Sequence, residues 1–157
     1  MRDGLEHMTR QLGISDRVVM AGHIPVDKIW TENQVLVMPS RYEGLPLAIV
    51  EAMLCGRTIV ATDVAGNSEI IDDGVTGFLA KAPTAPALLE ALERLWVRRA
   101  QVEDIGRVAA ARIRQLVPPD PIEVFSRKLR QMIHQERSVS VGAIDTIPRI
   151  GGEAPEQ

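Results

Sequence analysis

The 157-residue sequence predicts an α/β fold, a Rossmann-like doubly wound parallel sheet with terminal helices. Several short apolar runs contain β-branched residues without in-out alternation, which is the pattern of parallel strands covered on both faces. Segments with helical periodicity separate these runs, and three more such segments follow the last run. Parallel strands need crossover connections, and helices are their usual form. The alternation therefore predicts the fold class.

Four apolar runs are the predicted strands. Their hydrophobic residues are consecutive, as expected for strands that are buried on both sides. The runs cover residues 17–22, 34–39, 58–63 and, as the weakest, 77–80. The predicted helices cover residues 3–12, 25–32, 46–55, 67–72, 86–98, 101–116 and 121–135.

The domain organisation follows from where this periodicity begins and ends. Residues 136–157 show no period and are predicted to be a mobile tail after one domain over residues 1–135. The chain opens in a helix, whereas a Rossmann-like half ordinarily opens with a strand and a phosphate-binding turn. We therefore expect the first βα unit of the domain to be missing.

Composition excludes several classes of function. A net charge of -3 argues against nucleic acid and against a strongly anionic membrane surface as partners. An aromatic content of 3% argues against base-stacking surfaces for single strands. The single cysteine, Cys55, excludes an intramolecular disulfide and a cysteine-based zinc cluster, and no other metal-ligand cluster is visible. With no signal peptide and no membrane-spanning run, the sequence predicts a cytoplasmic protein.

The segment after the second predicted strand carries most of the chemical information. The strand ends at Pro39, a loop with Gly44 follows, and Pro46 suits the first position of a helix. In open parallel sheets, ligands bind at the carboxyl ends of strands, where loops meet helix N-termini. The N–H groups of such a terminus favour a phosphate, and a glycine lets the backbone approach it closely.

Two carboxylates follow at different depths of this site. Between Pro46 and Gly56, Glu51 is the only charged residue, so the helix is predicted to be buried all round with Glu51 on its buried face. An ionised carboxylate there needs a partner, such as the paired hydroxyls of a ribose. Glu43 lies in the loop, while Glu51 lies roughly 7.5 Å along the helix axis from its start. Alternatively, Glu43 caps the helix and Glu51 pairs with an internal arginine or a backbone amide. These grounds leave both interpretations open.

A family resemblance covers the same residues. The pattern Pro-Ser, two residues, Glu-Gly, and a second Glu eight positions after the first, followed by Ala-Met, resembles the signature of family-4 (group 1) retaining glycosyltransferases of the GT-B fold. Residues 18–22, 56–63, 66–69 and 73–79 resemble further motifs of that family in the correct order. The likeness spans residues 4–135, so the chain is identified as a C-terminal, donor-binding domain of that family.

The resemblance assigns roles to individual residues. It implies that Glu43 is catalytic and approaches the donor sugar, and that Glu51 binds the ribose hydroxyls. It implies that the backbone amides of Gly44, Leu45 and Leu47 hold the diphosphate of a UDP-, GDP- or ADP-sugar, with no cofactor and no metal. Many relatives have glycine where this chain has Pro46, which lacks an N–H.

The resemblance also implies a larger enzyme. It would transfer a hexose from a nucleoside diphosphate sugar to an acceptor with retention of configuration, and an acceptor at a membrane surface is left open. A missing N-terminal domain would bind the acceptor, and basic residues before Met1 would neutralise the leaving diphosphate, so the isolated chain is expected to be inactive. The alternatives are an inactive nucleotide-binding or interaction module and a truncated remnant.

The last predicted helix, residues 121–135, suggests an association. In relatives the final helix packs on the N-terminal domain. Without that domain its apolar residues would stay partly uncovered, so we expect the isolated chain to self-associate. These residues are Ile122, Val124, Phe125, Leu129, Met132 and Ile133.

Overall fold

A computed structural model describes residues 2–44 and 46–144, and side chains are described as far as Ile133. Its contacts divide the chain into two compact units, Met1–Ile113 and Arg114–Gln157. The first unit holds the sheet and its covering helices. The second holds the end of one helix and all of the next.

A parallel three-stranded sheet forms the centre of the first unit. Its strands are β1 (Val35–Met38), β2 (Thr58–Thr62) and β3 (Gly77–Ala80), paired in the order β1-β2-β3. All residues of β2 and β3 are buried, whereas β1 lies at one edge and is partly exposed. Burial of consecutive residues on β2 means that both faces of the sheet are covered. This arrangement confirms the predicted α/β class and three of the four predicted strands.

The described residues form seven α-helices, and their bounds follow the prediction closely except at the end of the last helix. They are α1 (Arg2–Gln11), α2 (Val26–Glu32), α3 (Leu47–Leu54), α4 (Asn67–Ile70), α5 (Ala85–Val97), α6 (Val102–Leu116) and α7 (Pro121–Ile144). Short 3-10 turns occupy Ser15–Arg17 and Arg99–Gln101. Gly13 and Gly56 have φ of 65° and 69°, so the left-handed backbone that ends a helix falls on glycine after both α1 and α3.

The predicted first strand, residues 17–22, is wrong. A 3-10 turn runs through Arg17, and Val18 is extended (φ -121°, ψ 119°), but the segment pairs with no strand among the described residues. Val19 is 84% exposed. A strand is defined by its hydrogen-bonded neighbour, and an apolar run predicts extended backbone without supplying that neighbour.

The predicted end of the last helix is also wrong, because α7 continues from residue 135 to Ile144. No proline occurs between Pro121 and Pro148, and no glycine before Gly142, so nothing in residues 136–141 breaks the helix. The rest of the predicted tail, residues 145–157, lies outside the described residues.

The core occupies both faces of the sheet. On one face, Val60, Phe78 and Ala80 pack with Ala91 of α5 and Ile105 of α6. Ile59 and Ala61 alternate with Val60 along β2 and are also fully buried, so they face the opposite layer. Helix α3 contacts β1 and β2, and its buried residues are Ile49, Ala52 and Met53. This packing fixes the start of α3 beside the carboxyl end of β1.

Candidate functional site

The candidate site lies at the carboxyl ends of β1 and β2, where the loop that follows β1 contacts the loop that follows β2. The Gly66 N–H donates to the carbonyl oxygen of Gly44 at 3.4 Å. The Thr62 hydroxyl, at the end of β2, donates to the carbonyl oxygen of Ser40 at 2.6 Å. Parallel strands bring their carboxyl ends to one edge of the sheet, which is where ligands bind in open α/β folds.

Glu43 is half-buried in the loop between β1 and α3. Its Oε1 accepts a hydrogen bond from the Ser40 hydroxyl at 2.6 Å. The alternative in which Glu43 caps α3 is wrong, because the N-cap residue is Pro46 and, among the described residues, the Glu43 carboxylate accepts from Ser40 and from no amide of α3. Arg41 is exposed and forms no ion pair with Glu43 within the part of the chain that is described. The free edge of the Glu43 carboxylate can therefore meet a ligand.

The start of α3 has the properties of an anion site. The first N–H groups of any helix lack intrahelical acceptors, and here they belong to Leu47 and Ala48. The next amide, of Ile49, donates to the carbonyl oxygen of Pro46 at 3.1 Å. No acidic residue occupies the first turn, and both Gly44 and Leu47 are exposed. Leu45, predicted to supply a further amide, lies outside the described residues.

The prediction that α3 is buried all round is wrong. Leu47 is 71% exposed and Leu54 37% exposed, and Glu51 is only partly buried. The helix packs through one face against β1 and β2, and its uniform apolar composition could not indicate which face that is. Glu51 therefore needs no buried counter-charge. Its carboxylate forms no hydrogen bond or ion pair with any described residue, so the alternative of an internal partner has no support either.

The loop after β2 contributes groups that the sequence did not reveal. The Asn67 Nδ2 donates to the carbonyl oxygen of Thr62 at 2.8 Å, and both side chains are buried. Sequence reasoning identified Asn67 only as the beginning of α4, which the structure confirms, and left Thr62 and Ser40 without a role. A Ser, Thr or Asn at the carboxyl end of a predicted parallel strand was the available signal.

Two other acidic residues of the family motifs make no contact with Glu43 or Glu51 among the described residues. Glu69, in the first turn of α4, is exposed. Asp73 lies before β3, at the amino end of the sheet, where its carboxylate accepts from the Leu79 N–H at 2.8 Å and from Arg94 at 2.9 Å. This motif fixes a turn and does not reach the candidate site.

A cleft of about 340 Å³ lies elsewhere, between the beginning of β1 and the turn after α5. It is lined in part by Gln34, Val35, Trp96 and Arg99. Ligands of open parallel sheets bind at the opposite end, which is the end that holds Glu43 and the start of α3.

Within residues 2–44 and 46–144, no group of three or more His, Cys, Asp or Glu is arranged to hold a metal ion. None of the helices in that part of the chain combines the length and the apolar composition that crossing a bilayer requires.

Sequence comparison identifies relatives for most of the chain. Residues 1–97 match the family model described as "Glycosyl transferases group 1". The chain is 36% identical over 97 residues to alpha-D-kanosaminyltransferase of Streptomyces kanamyceticus, which covers 60% of this chain and 25% of that protein. It is 36% identical over 109 residues to the D-inositol 3-phosphate glycosyltransferase of Paenarthrobacter aurescens, covering 68% and 27%. The chain thus spans about a quarter of the length of these curated relatives.

Solved structures resemble the chain over most of its length. Sucrose-phosphate synthase from Thermosynechococcus elongatus superposes with a TM-score of 0.71 at 26% identity, covering 88% of this chain and 35% of that one. Anabaena Alr3699/HepE in complex with UDP superposes with a TM-score of 0.70 at 22% identity, covering 85% and 36%.

Proposed function

Because this chain belongs to the group 1 glycosyltransferases and has their GT-B type of α/β fold, we propose that it binds the nucleotide-sugar donor of such an enzyme. The parent enzyme would transfer a hexose from a nucleoside diphosphate sugar to an acceptor. Retention of configuration rests on the resemblance of the Glu43 and Glu51 motif to retaining members of the family. Two neighbouring structures, of Alr3699/HepE with UDP and with UDP and glucose, support a nucleotide-sugar as the donor class.

The observation that carries this proposal is the pair of carboxylates beside an open helix N-terminus. A diphosphate would lie against the amides of Gly44, Leu45 and Leu47, where the helix dipole and free N–H groups favour anions. Pro46 contributes no N–H, so the diphosphate would have one donor fewer than with glycine at that position.

The carboxylates would recognise the two ends of the donor. Glu43, in the loop, would contact the sugar near the reacting carbon, and we propose it as the catalytic residue. Glu51, further along α3 and unpaired within the described chain, would accept hydrogen bonds from the two ribose hydroxyls. A carboxylate can accept two such bonds without a cofactor or a metal, and we propose neither for this site.

The remaining three quarters of the enzyme would supply the acceptor site. We propose that an N-terminal domain binds the acceptor and that basic side chains outside this sequence stabilise the leaving diphosphate. The isolated chain should then be inactive, because stabilisation of the leaving charge is commonly the largest catalytic term. Sugar transfer by the purified chain alone would contradict this assignment of roles.

A second candidate, an inactive module that keeps the nucleotide site, is favoured by one observation. Pro46 removes a backbone donor from the turn that would hold the diphosphate. Such a module would bind nucleoside diphosphates and would still fail to transfer sugar when an N-terminal domain of the family is supplied.

Calorimetric titration with UDP, GDP and ADP tests the donor site. We expect one nucleotide to bind, and Glu51→Ala to weaken its binding about tenfold or more, since the variant loses two charge-assisted hydrogen bonds. Glu93→Ala is the control, because Glu93 is also a helical glutamate but is exposed and lies on α5. Equal loss in both variants, or no loss in Glu51→Ala, would refute the proposed ribose contact.

A further inference from the structure

A chain of three side-chain hydrogen bonds leads from the interior of the first unit to Glu43. The Asn67 Nδ2 donates to the Thr62 carbonyl oxygen at 2.8 Å. The Thr62 hydroxyl donates to the Ser40 carbonyl oxygen at 2.6 Å. The Ser40 hydroxyl donates to Glu43 Oε1 at 2.6 Å. The proposed catalytic carboxylate is thereby connected to the end of the central strand.

The inner residues of this hydrogen-bond series are buried and belong to, or bond to, the central strand. Thr62 is 1% exposed and Asn67 is fully buried. Thr62 is the last residue of β2, which pairs with β1 on one side and with β3 on the other. Its hydroxyl is therefore fixed by a strand that cannot shift without disrupting two ladders.

At the outer end of the hydrogen-bond series, few other contacts hold Ser40 and Glu43 in place. Apart from the Thr62 bond, the polar contact between the described residues of the two loops is the Gly66 N–H donating to the Gly44 carbonyl oxygen, and at 3.4 Å it is weak. Arg41, Tyr42 and Gly44 around Glu43 are exposed. The place of Ser40, and with it the direction of the hydroxyl that holds Glu43, therefore depends on Thr62.

We propose that Thr62 is a positioning residue, which through Ser40 orients the Glu43 carboxylate toward the donor sugar. The inference rests on the proposed function for its ligand. Its structural content is that the Thr62 hydroxyl, and not the packing of its methyl group, determines where the carboxylate points. Loss of the hydroxyl would also leave a half-buried carbonyl of Ser40 without its donor.

Two substitutions of Thr62 separate the contribution of its hydroxyl from that of its methyl group. Valine has nearly the same shape and suits a strand at least as well, but it has no hydroxyl. Serine keeps the hydroxyl and loses the methyl group. A purely structural role would make Thr62→Ser the more damaging variant, whereas the positioning role makes Thr62→Val the more damaging one.

The first readout is the gain in affinity from the sugar, which is the ratio of the Kd of a nucleoside diphosphate to the Kd of its glucose derivative. Kd is measured by calorimetry for the best-bound nucleoside diphosphate and for its glucose derivative, on the unchanged chain, Thr62→Val and Thr62→Ser. In Thr62→Val we expect the gain from the sugar to fall about tenfold, while nucleotide affinity stays within twofold. Thr62→Ser should retain the gain. When a nucleotide binds, equal gains in all three proteins, or no gain from the sugar in the unchanged chain, would overturn the inference.

The second readout needs no ligand. The ¹³C resonance of the Glu43 carboxyl, assigned by its loss in Glu43→Gln, should move toward that of exposed Glu93 in Thr62→Val and stay in place in Thr62→Ser. An unmoved resonance in folded Thr62→Val overturns the inference. If Thr62→Val does not fold by circular dichroism, Ser40→Ala removes the last hydrogen bond and must move the resonance similarly. Failure of every nucleotide to bind refutes the proposed function alone, because this resonance still tests the connection.

Discussion

Ala65 has a left-handed backbone conformation, with φ of 48°, in the loop between β2 and α4. This conformation costs residues with a Cβ roughly 1–2 kcal/mol, and glycine adopts it without that cost. The strained residue is next to Gly66, whose N–H approaches Gly44 in the candidate site. Strain of this kind often lies where loops are held for function.

Replacing Ala65 with glycine should therefore stabilise the protein. We expect Ala65→Gly to raise the free energy of unfolding by about 1 kcal/mol, since relief of strain exceeds the added entropy of the unfolded chain. Urea denaturation measures the difference. Ala111→Gly, on the exposed side of α6, is the control and should lower the same free energy by about 1 kcal/mol. A loss of stability in both variants would contradict the assigned backbone conformation.

At this scale the sequence predicted the elements of the site better than the contacts of its side chains. The strand end, the glycine loop and the beginning of α3 followed from local patterns around Gly44 and Pro46. The Thr62 bond to Ser40 joins residues 22 positions apart, which no local pattern encodes. The exposure of Leu47 and the incomplete burial of Glu51 were missed because an all-apolar helix does not indicate which of its faces packs.

Among the elements, α6 depends on a close approach of two glycines. A Cβ added to Gly106 would overlap the carbonyl of Gly56, directly after α3. In the same region the Thr58 hydroxyl donates to the Val102 carbonyl oxygen at 2.6 Å and ties β2 to the start of α6. The absence of a side chain at Gly106 is what lets α6 lie this close to the end of α3, whereas a Cβ on Gly56 would meet the Gly106 carbonyl oxygen at 3.8 Å, an ordinary contact.

A single methyl group at this crossing should be costly. We expect Gly106→Ala to lower the free energy of unfolding by about 1–3 kcal/mol, because backbone atoms must move apart to accept it. Gly4→Ala, in α1, meets no atom within 4 Å and should be neutral or stabilising, since alanine favours helix. Comparable stability of Gly106→Ala and the unchanged chain in urea denaturation would show that α6 does not pack as described.

Whether an element was predicted correctly depended on where its backbone hydrogen bonds come from. The runs that became β1, β2 and β3 were predictable because strands covered on both faces are apolar throughout. Residues 17–22 have the same character, yet they lack a neighbouring strand within the described chain. Helices satisfy their own hydrogen bonds, and six of the seven were predicted to within about three residues at each end, with α7 longer than expected.

For the whole molecule, family membership and the α/β architecture agree, while the chain spans about a quarter of its relatives. The order of several motifs made the family predictable from sequence. Acceptor, donor base and sugar were not predictable, because none of the motifs in residues 1–97 is specific for a substrate. The predicted domain boundary at residue 135 stays a prediction.

Self-association also stays a prediction, and α7 provides its test. Taken by itself, this helix has exposed apolar residues at positions i, i+3, i+7, i+10 and i+11, which lie on one side of a helix. They are Ile122, Phe125, Leu129, Met132 and Ile133. Sedimentation velocity should detect dimers or larger species that Phe125→Glu reduces and Tyr42→Glu, at an exposed loop aromatic, does not. A monomer at high concentration would count against this prediction.

The central claim is that the carboxyl ends of β1 and β2 bind the diphosphate of a donor nucleotide, and NMR of the amide groups during titration with UDP, GDP and ADP tests it most directly. We predict that one nucleotide shifts the amides of Gly44, Leu47, Ala48 and Glu51, with little change around Trp96 at the opposite end of the sheet. Shifts concentrated around Trp96 and Arg99, or no shifts with any of the three nucleotides in a folded chain, would contradict the account.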